Sequence, residues 1–370
     1  MELLKDWFRR SFSDPQVVIL GLFLVIGFAI IIGLGAWLAP MFASIVIAYL
    51  LEAVVTRLQR VGIPRIAAVV LVFLLFIAVL FFLFFGLVPL VSRQLTQLVQ
   101  QLPDYIATGQ ELLRQLPEKT ELVSQQQVED LIKQLGQEVA GLGQDVLGWS
   151  LASLGSLISL LVYLVLVPVL VFFFLKDKDL MIGWVAARLP RERSLVNRVW
   201  VEAEGQIANY VRGKVMEIFI VGVVTYITFV FLGLQYAALL ATVVGFSVLV
   251  PYVGAAVATL PIAIVAYFQW GWGWDFGQVM IAYAIIQALD GNLLVPLMFS
   301  EVVNLHPVAI ILAILVFGGL WGFWGIFFAI PLATLVKAVI NAWPNNTSAA
   351  EETSPGEAEV PVAKDTDSAA

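Results

Sequence analysis

The sequence predicts an all-α, polytopic integral membrane protein of about eight transmembrane helices, with broken or kinked helices in its C-terminal half. Three observations lead there. Of 370 residues, 61% are hydrophobic and 13% charged, whereas soluble domains run about 45–50% apolar and about 25% charged. The apolar residues fall in runs that match the ~20 residues a helix needs to cross a bilayer core. The cations are uneven as well, with none between Lys214 and Lys337.

In chain order the expected spans are 17–38, 41–56, 66–91, 147–175, 215–233, 236–268, 276–299 and 308–337. The stretch Gly35 to Pro40 divides the first two. The residue before a proline resists helix, and proline is tolerated at the start of the next one. The first run is too long for a cleavable signal peptide and leads straight into more apolar sequence, so it is expected to stay in the mature chain.

Charge sets orientation. Lys5, Arg9 and Arg10 form one cluster, Arg57, Arg60 and Arg65 a second, and the segment 176–214 the densest. Cytoplasmic loops carry the excess of Lys and Arg, so all three are expected inside. Eight spans then place both termini in the cytoplasm. Residues 1–91 make the first group of three spans, 147–343 the remaining spans with the basic segment 176–214, and 344–370 an acidic tail too polar to bury a core.

Residues 92–146 hold four cations against eight acids and are expected outside. Val128, Leu131, Ile132, Leu135, Val139, Leu142 and Val146 recur at helical spacing, so 121–146 reads as an amphipathic helix. Pro103 and Pro117 punctuate the preceding stretch into short helices. This segment is a helical cap or a gate over a permeation path. The basic segment 176–214 is read as a topogenic loop with mutual ion pairs, with a second helical stretch from about Ser194 and room for anionic lipid headgroups.

Several function classes drop out. No cysteine and a single histidine leave no thiol chemistry, no cysteine-ligated metal and no multi-histidine site, and no cofactor is expected. A net charge of −7 gives no general attraction to nucleic acid. No G-x-x-x-x-G-K-[ST] loop and no G-x-S-x-G elbow is present.

The chemistry-bearing residues are few. Between 215 and 336 the ionisable side chains besides tyrosine are Glu217, Asp275, Asp290, Glu301 and His306. Glu217 and Asp275 are expected near interfaces, solvated. Asp290 lies inside an apolar run, where a charge costs at least about 2.5–3.5 kcal/mol and faces a polar cavity or a partner. Gly291 and Pro296 follow it and favour a helix break, the device by which secondary transporters build sites from freed backbone groups. Gln287, Asp290 and Asn292 are therefore the first candidates for solute or ion coupling, against the plainer reading that Asp290 caps or ties helices. Glu301 and His306 in the next loop are further candidates, His306 as a proton relay or a hydrogen-bonded structural residue. Pro251 and Gly254 interrupt the long run 236–268, which is either one kinked helix or a re-entrant hairpin. Pro251, Gly254, Gly291 and Pro296 are the helix-break or gating candidates. Gly318, Gly319, Gly322 and Gly325 read as a close helix-packing face or a sliding surface.

The run Gln287 to Pro296, then Asn304-Leu305-His306-Pro307, Phe317 to Gly325 and Ala329-Ile330-Pro331-Leu332-Ala333 resembles the autoinducer-2 exporter (AI-2E) family. Pro251-Tyr252-Val253-Gly254 and Tyr210-Val211-Arg212-Gly213-Lys214 point the same way. The resemblance implies a bacterial inner-membrane protein with a large loop after the third helix, and a homo-oligomer, with a pentamer as the number. It also implies export of autoinducer-2-like molecules or sodium/proton exchange. The expected function is a secondary transporter of a small polar solute, with Na⁺ or H⁺ as further partners in the bilayer. The alternative is a non-transporting membrane scaffold or regulator, and a membrane enzyme stands third.

Overall fold

Residues 15–114, 153–188, 194–251, 253–299 and 305–342 are described by a computed structural model, and every regular element among them is helical. Helix α1 runs from Pro15 to Arg60. It joins the two spans expected at 17–38 and 41–56 into one rod, about 69 Å long at 1.5 Å per residue. The break expected at Gly35–Pro40 does not occur. Pro40 lacks an N–H, yet its carbonyl accepts from Ser44 Oγ at 2.6 Å. Lipid offers the backbone no other partner, which favours continuing the helix.

Helix α2 (Arg65–Phe82) turns back from α1. It passes through a π-turn at Leu83–Leu87 into α3, Val88–Arg114. α3 runs through Pro103 without interruption, so the short helices expected there are one helix as far as Arg114. The amphipathic helix 121–146 lies outside the described residues, as does the tail. α4 (Ser153–Lys176) fills the described part of the span 147–175, and the short α5 (Lys178–Ala186) follows.

A charged joint gathers these helices. Arg65 Nη1 and Lys178 Nζ each lie 3.3 Å from Glu52 Oε1. Arg65 Nη2 donates to the Leu175 carbonyl at 3.1 Å. The basic clusters at 57–65 and 176–188 therefore share one end of the molecule, called the basic end below.

Helix α6 (Ser194–Phe231) is a single 38-residue helix. The second half of the expected basic loop is thus helical and continuous with the span at 215–233. The uncharged run 236–268 is a hairpin, not one kinked helix. α7 (Ala237–Ser247) runs back along α6, and α8 (Val253–Trp270) returns. Gln269 closes the base: Oε1 accepts the Gln235 N–H and Nε2 donates to the Gly233 carbonyl, both at 2.8 Å. With 11 residues, α7 is about 16 Å long, roughly half of a ~30 Å bilayer core. The base of the hairpin lies opposite the basic end. There α3 clamps it, since Gln94 Oε1 accepts the Leu239 N–H at 2.8 Å and Gln101 Oε1 accepts Tyr236 OH at 2.6 Å.

The hairpin tip admits no side chain at Gly254. A Cβ there would collide with the Ser247 backbone. Gly254→Ala is expected to cost about 1–3 kcal/mol, the range for overpacking, and to lower the thermal midpoint and the yield of monodisperse protein. Gly277→Ala, where nothing lies within 4 Å, should leave both unchanged.

The chain then recrosses as α9 (Trp274–Leu289), a π-turn at Asp290–Leu294 and α10, Val295–Phe299. The helix predicted to break at Gly291 instead widens by one residue and continues. Helix α11 (Pro307–Ala342) reverses at Gly322, whose φ of 58° and ψ of −135° are non-helical. Residues 317 and 325 would lie about 12 Å apart in a straight helix. Here a Cβ on Gly325 would strike the Phe317 carbonyl. Ile310 and Ile314 of the first arm share an apolar cluster with Ile326, Phe327 and Ile330 of the second. The expected span 308–337 is therefore a second hairpin, and its glycines form a tip more than a flat packing face.

Among the described residues, six helical runs are long and apolar enough to cross a membrane. The sequence of helix then hairpin occurs twice. α6 leaves the basic end and its hairpin enters from the opposite end. α9–α10 run the other way, and the α11 hairpin enters from the basic end. Phe246, Ser247 and Gly254 at the first tip have Phe317, Gly318 and Gly325 at the second, each 71 residues on.

Candidate functional site

Proline shapes the turn that holds Asp290. A proline inside a helix has no N–H, and its ring clashes with the carbonyl four residues back. Widening the preceding turn to an i→i+5 bond relieves the clash. That is the local pattern: the Val295 N–H reaches back to the Asp290 carbonyl, one residue before Pro296. The Val88 N–H does the same to Leu83, one residue before Pro89. In both places the sequence reads Leu-Val-Pro.

The widened turn places Asp290 inside the protein, 7% exposed. Its Oδ1 is buried with no hydrogen-bond partner. Gln287, one turn earlier and half-buried, carries a buried Nε2 that also lacks a partner. Asn292 faces outward, and its Nδ2 donates to the Ala288 carbonyl at 2.9 Å. Gly291 and Pro296 are exposed on the same segment. The missing N–H of Pro296 leaves a carbonyl about one turn upstream without its helical donor.

Opposite the π-turn stands α6, with which it is in contact. Lys214 and Glu217 are buried there, at 4% and 2% exposure. Their Nζ and Oε2 are 2.6 Å apart. Glu217 is thus an internal ion-pair partner, where an interfacial, solvated position was expected. Lys214 belongs to the protein interior, where a surface loop was expected. Lys214 Nζ also donates to the Val248 carbonyl, at the tip of the first hairpin, at 3.0 Å. It lies 5.0 Å from the Phe299 ring and 6.0 Å from the Tyr210 ring. Phe299 in turn packs on Gly213, where a Cβ would come within 2.8 Å of the ring. Asp290 lies on the π-turn packed against the helix that holds this pair, where an ammonium attracts its carboxylate and a second carboxylate repels it. Two carboxylates and one ammonium thus share a buried centre, with a formal charge of −1. One turn away, Arg212 Nη2 donates to Tyr49 OH at 2.6 Å, tying α6 to α1.

The other candidates fall elsewhere. His306 is exposed at the start of α11, and its Nδ1 accepts the Val308 N–H at 3.3 Å. With Pro307 at the first helical position, this is helix capping. Glu301 lies outside the described residues. Pro251 sits in the turn of the first hairpin and Gly254 at its tip. Asp275 is exposed in the first turn of α9.

The whole-chain comparisons agree with this architecture. Residues 19–345 match the family described as "AI-2E family transporter". The chain belongs to the AI-2E transporter family. It is 47% identical over 352 residues to the "Putative permease PerM" of Escherichia coli strain K12, covering 95% of this chain and all of that protein. It is 28% identical to the "Putative transport protein YueF" of Bacillus subtilis over 81% of this chain and 82% of that one. A "Putative transport protein" of Synechocystis, sll0063, is 26% identical over 80% of this chain. The shared assignment within the AI-2E family is transport, across relatives of unequal similarity.

Pro296 offers a local test of the π-turn. Pro296→Ala restores an N–H donor, so the helix can close in α register and turn Asp290 by about one residue, roughly 100°. We expect a higher thermal midpoint together with reduced flux in proteoliposomes. Unchanged flux would separate the π-turn from function.

Proposed function

We propose that this protein is a secondary transporter of the bacterial inner membrane, moving a small polar solute or exchanging cations. The buried centre at Asp290, Gln287, Lys214 and Glu217 is its coupling site. The observation that carries the reading is Asp290: an acid kept inside an apolar body, with one oxygen unpaired, on a turn widened by a proline. Such a group destabilises the fold unless a ligand, a proton or water meets it. Two helix-and-hairpin units of opposite direction surround it, the layout in which transporters place midplane sites between inverted halves. Autoinducer-2-like polyols and the Na⁺/H⁺ pair are the first solutes to test, because the family resemblance implies them. A net charge of −1 in the centre favours positive charge as part of the cargo or its coupling.

The basic end is proposed to face the cytoplasm, following the bias of Lys and Arg. The second hairpin then returns the C-terminus to the cytoplasm. A homo-oligomer is part of the proposal, with native mass measurement as its check.

The test is a flux assay on the full chain in proteoliposomes, with Na⁺ or H⁺ gradients set against small polyols. Gradient-driven movement of at least one of these is expected. Monodisperse, correctly reconstituted protein that moves none of them, and that copurifies with one stoichiometric protein partner, would favour the scaffold reading instead.

A further inference from the structure

We infer that Lys214 is a tethered cation that latches the tip of the first hairpin and yields to positive charge entering the Asp290 centre. The inference rests on the proposed transport site and assigns a role to a residue outside the segment that carries Asp290. Two contacts and one neighbouring charge define it. One ammonium pairs with Glu217 Oε2 at 2.6 Å and donates to the Val248 carbonyl at 3.0 Å, and the π-turn that carries the buried Asp290 packs against the same helix.

The geometry makes these contacts interdependent. Val248 directly follows α7 and belongs to the turn that ends in Gly254. In that turn the Val253 and Gly254 N–H groups go to Pro251 and Val250, and the Val248 carbonyl accepts from Lys214 Nζ of α6. Lys214 thus supplies a side-chain hydrogen bond from α6 to the tip. It can do so only while its charge is held in place by two carboxylates. The titratable groups facing the ammonium are Tyr210 and Glu217 of α6 and Asp290 of the π-turn; α7 contributes none.

A proton on either carboxylate, or a monovalent metal cation between them, supplies the charge that Lys214 now provides. The ammonium is then held less strongly in the centre, and its bond to the Val248 carbonyl weakens. The tip is freed at the moment the site is loaded. Lys214 would thereby couple occupancy to hairpin movement, a link that a plain structural ion pair does not make.

The native chain has no cysteine, so a single Val250→Cys reports on the tip. Val250 is half-buried in the turn. The full-length protein in proteoliposomes is exposed to a water-soluble maleimide. One arm compares sodium chloride with choline chloride at fixed pH, and the other compares pH 5.5 with 7.5 in choline. We expect labelling to rise severalfold with Na⁺ or with protons, and the arm that responds identifies the competing charge.

Lys214→Met should label fast in every condition, and Lys214→Arg should keep the slow baseline. Because Lys214→Met alone leaves Glu217 unpaired, the double variant Lys214→Met/Glu217→Gln is the decisive sample. The latch predicts a thermal midpoint close to that of the parent with labelling still fast and unresponsive. A double variant that regains the slow baseline along with its stability would overturn the proposal, as would a parent that responds to neither arm. Labelling requires no transport, so a protein that moves no tested solute can still show the latch. A protein that transports while its tip ignores Lys214 contradicts the latch alone.

Discussion

Asp290→Asn should abolish gradient-driven flux while leaving the protein at least as stable as the parent. The side chain keeps its shape and loses its charge. Desolvating an ionised carboxylate is expensive, and Asp290 Oδ1 has no hydrogen bond to offset it. Insertion scales put a charged residue at helix centre at least about 2.5–3.5 kcal/mol above an apolar one. Removing the charge removes that burden, although it also removes the attraction to Lys214. If Asp290 instead served to cap α9 or tie it to α6, the substitution should lower the thermal midpoint and reduce flux only in proportion. Stability held and flux lost is the outcome that separates a coupling residue from a structural one. The measurement is a melting curve and a flux trace on the same preparation.

The second large effect concerns the ion pair. Removing one partner of a buried pair leaves an uncompensated charge and costs about 3–5 kcal/mol, whereas replacing both with groups of similar volume is often neutral. Lys214 and Glu217 satisfy the premise, with side chains 5% and 2% exposed. Lys214→Met is therefore expected to lower the thermal midpoint sharply, and the double variant Lys214→Met/Glu217→Gln to restore most of it. Comparable losses in the single and double variants would mean that the packing of the Lys214 stem against Tyr210 and Phe299, not its charge, holds the site.

Much of the architecture was legible in the sequence because lipid acts as a uniform solvent. A run of apolar residues reveals that a segment is in the membrane, and the spans around α2, α4, α6, α8, α9 and α11 follow from that. Hydropathy does not report direction. The residues 236–268 are equally apolar whether the chain runs straight or folds back, and only the Gln269 bonds to Gly233 and Gln235 decide it. Gly322 is similar, since nothing in the composition of 308–337 distinguishes a glycine in a packing face from one with a positive φ. The single helix α1 runs against a proline rule that is a preference rather than a prohibition, and continuity through Pro40 depends on the absence of water.

For the candidate site the pattern was half readable. Asp290 stood out because no other charge lay near it in the chain, and Pro296 pointed to an irregular turn. The nature of that irregularity, a widened turn and not a break, depends on how the backbone relieves one clash. Lys214 and Glu217 were misplaced because they begin an apolar run, which is where interfacial charges usually sit. Their spacing of three residues puts both on one helical face, and that was the available signal. Whether such a face meets water or Val248 is decided by the hairpin, which the sequence did not disclose.

The central claim is that Asp290 lies on a route open to water within an apolar helical body. Asp290→Cys in the full-length chain, with no other thiol present, tests it through reaction with a small, membrane-impermeant thiol reagent applied from each side of proteoliposomes. The account predicts labelling from at least one side, slowed by a transported solute or cation. Absence of labelling from both sides, in a sample where the exposed control Asp275→Cys reacts, would contradict it.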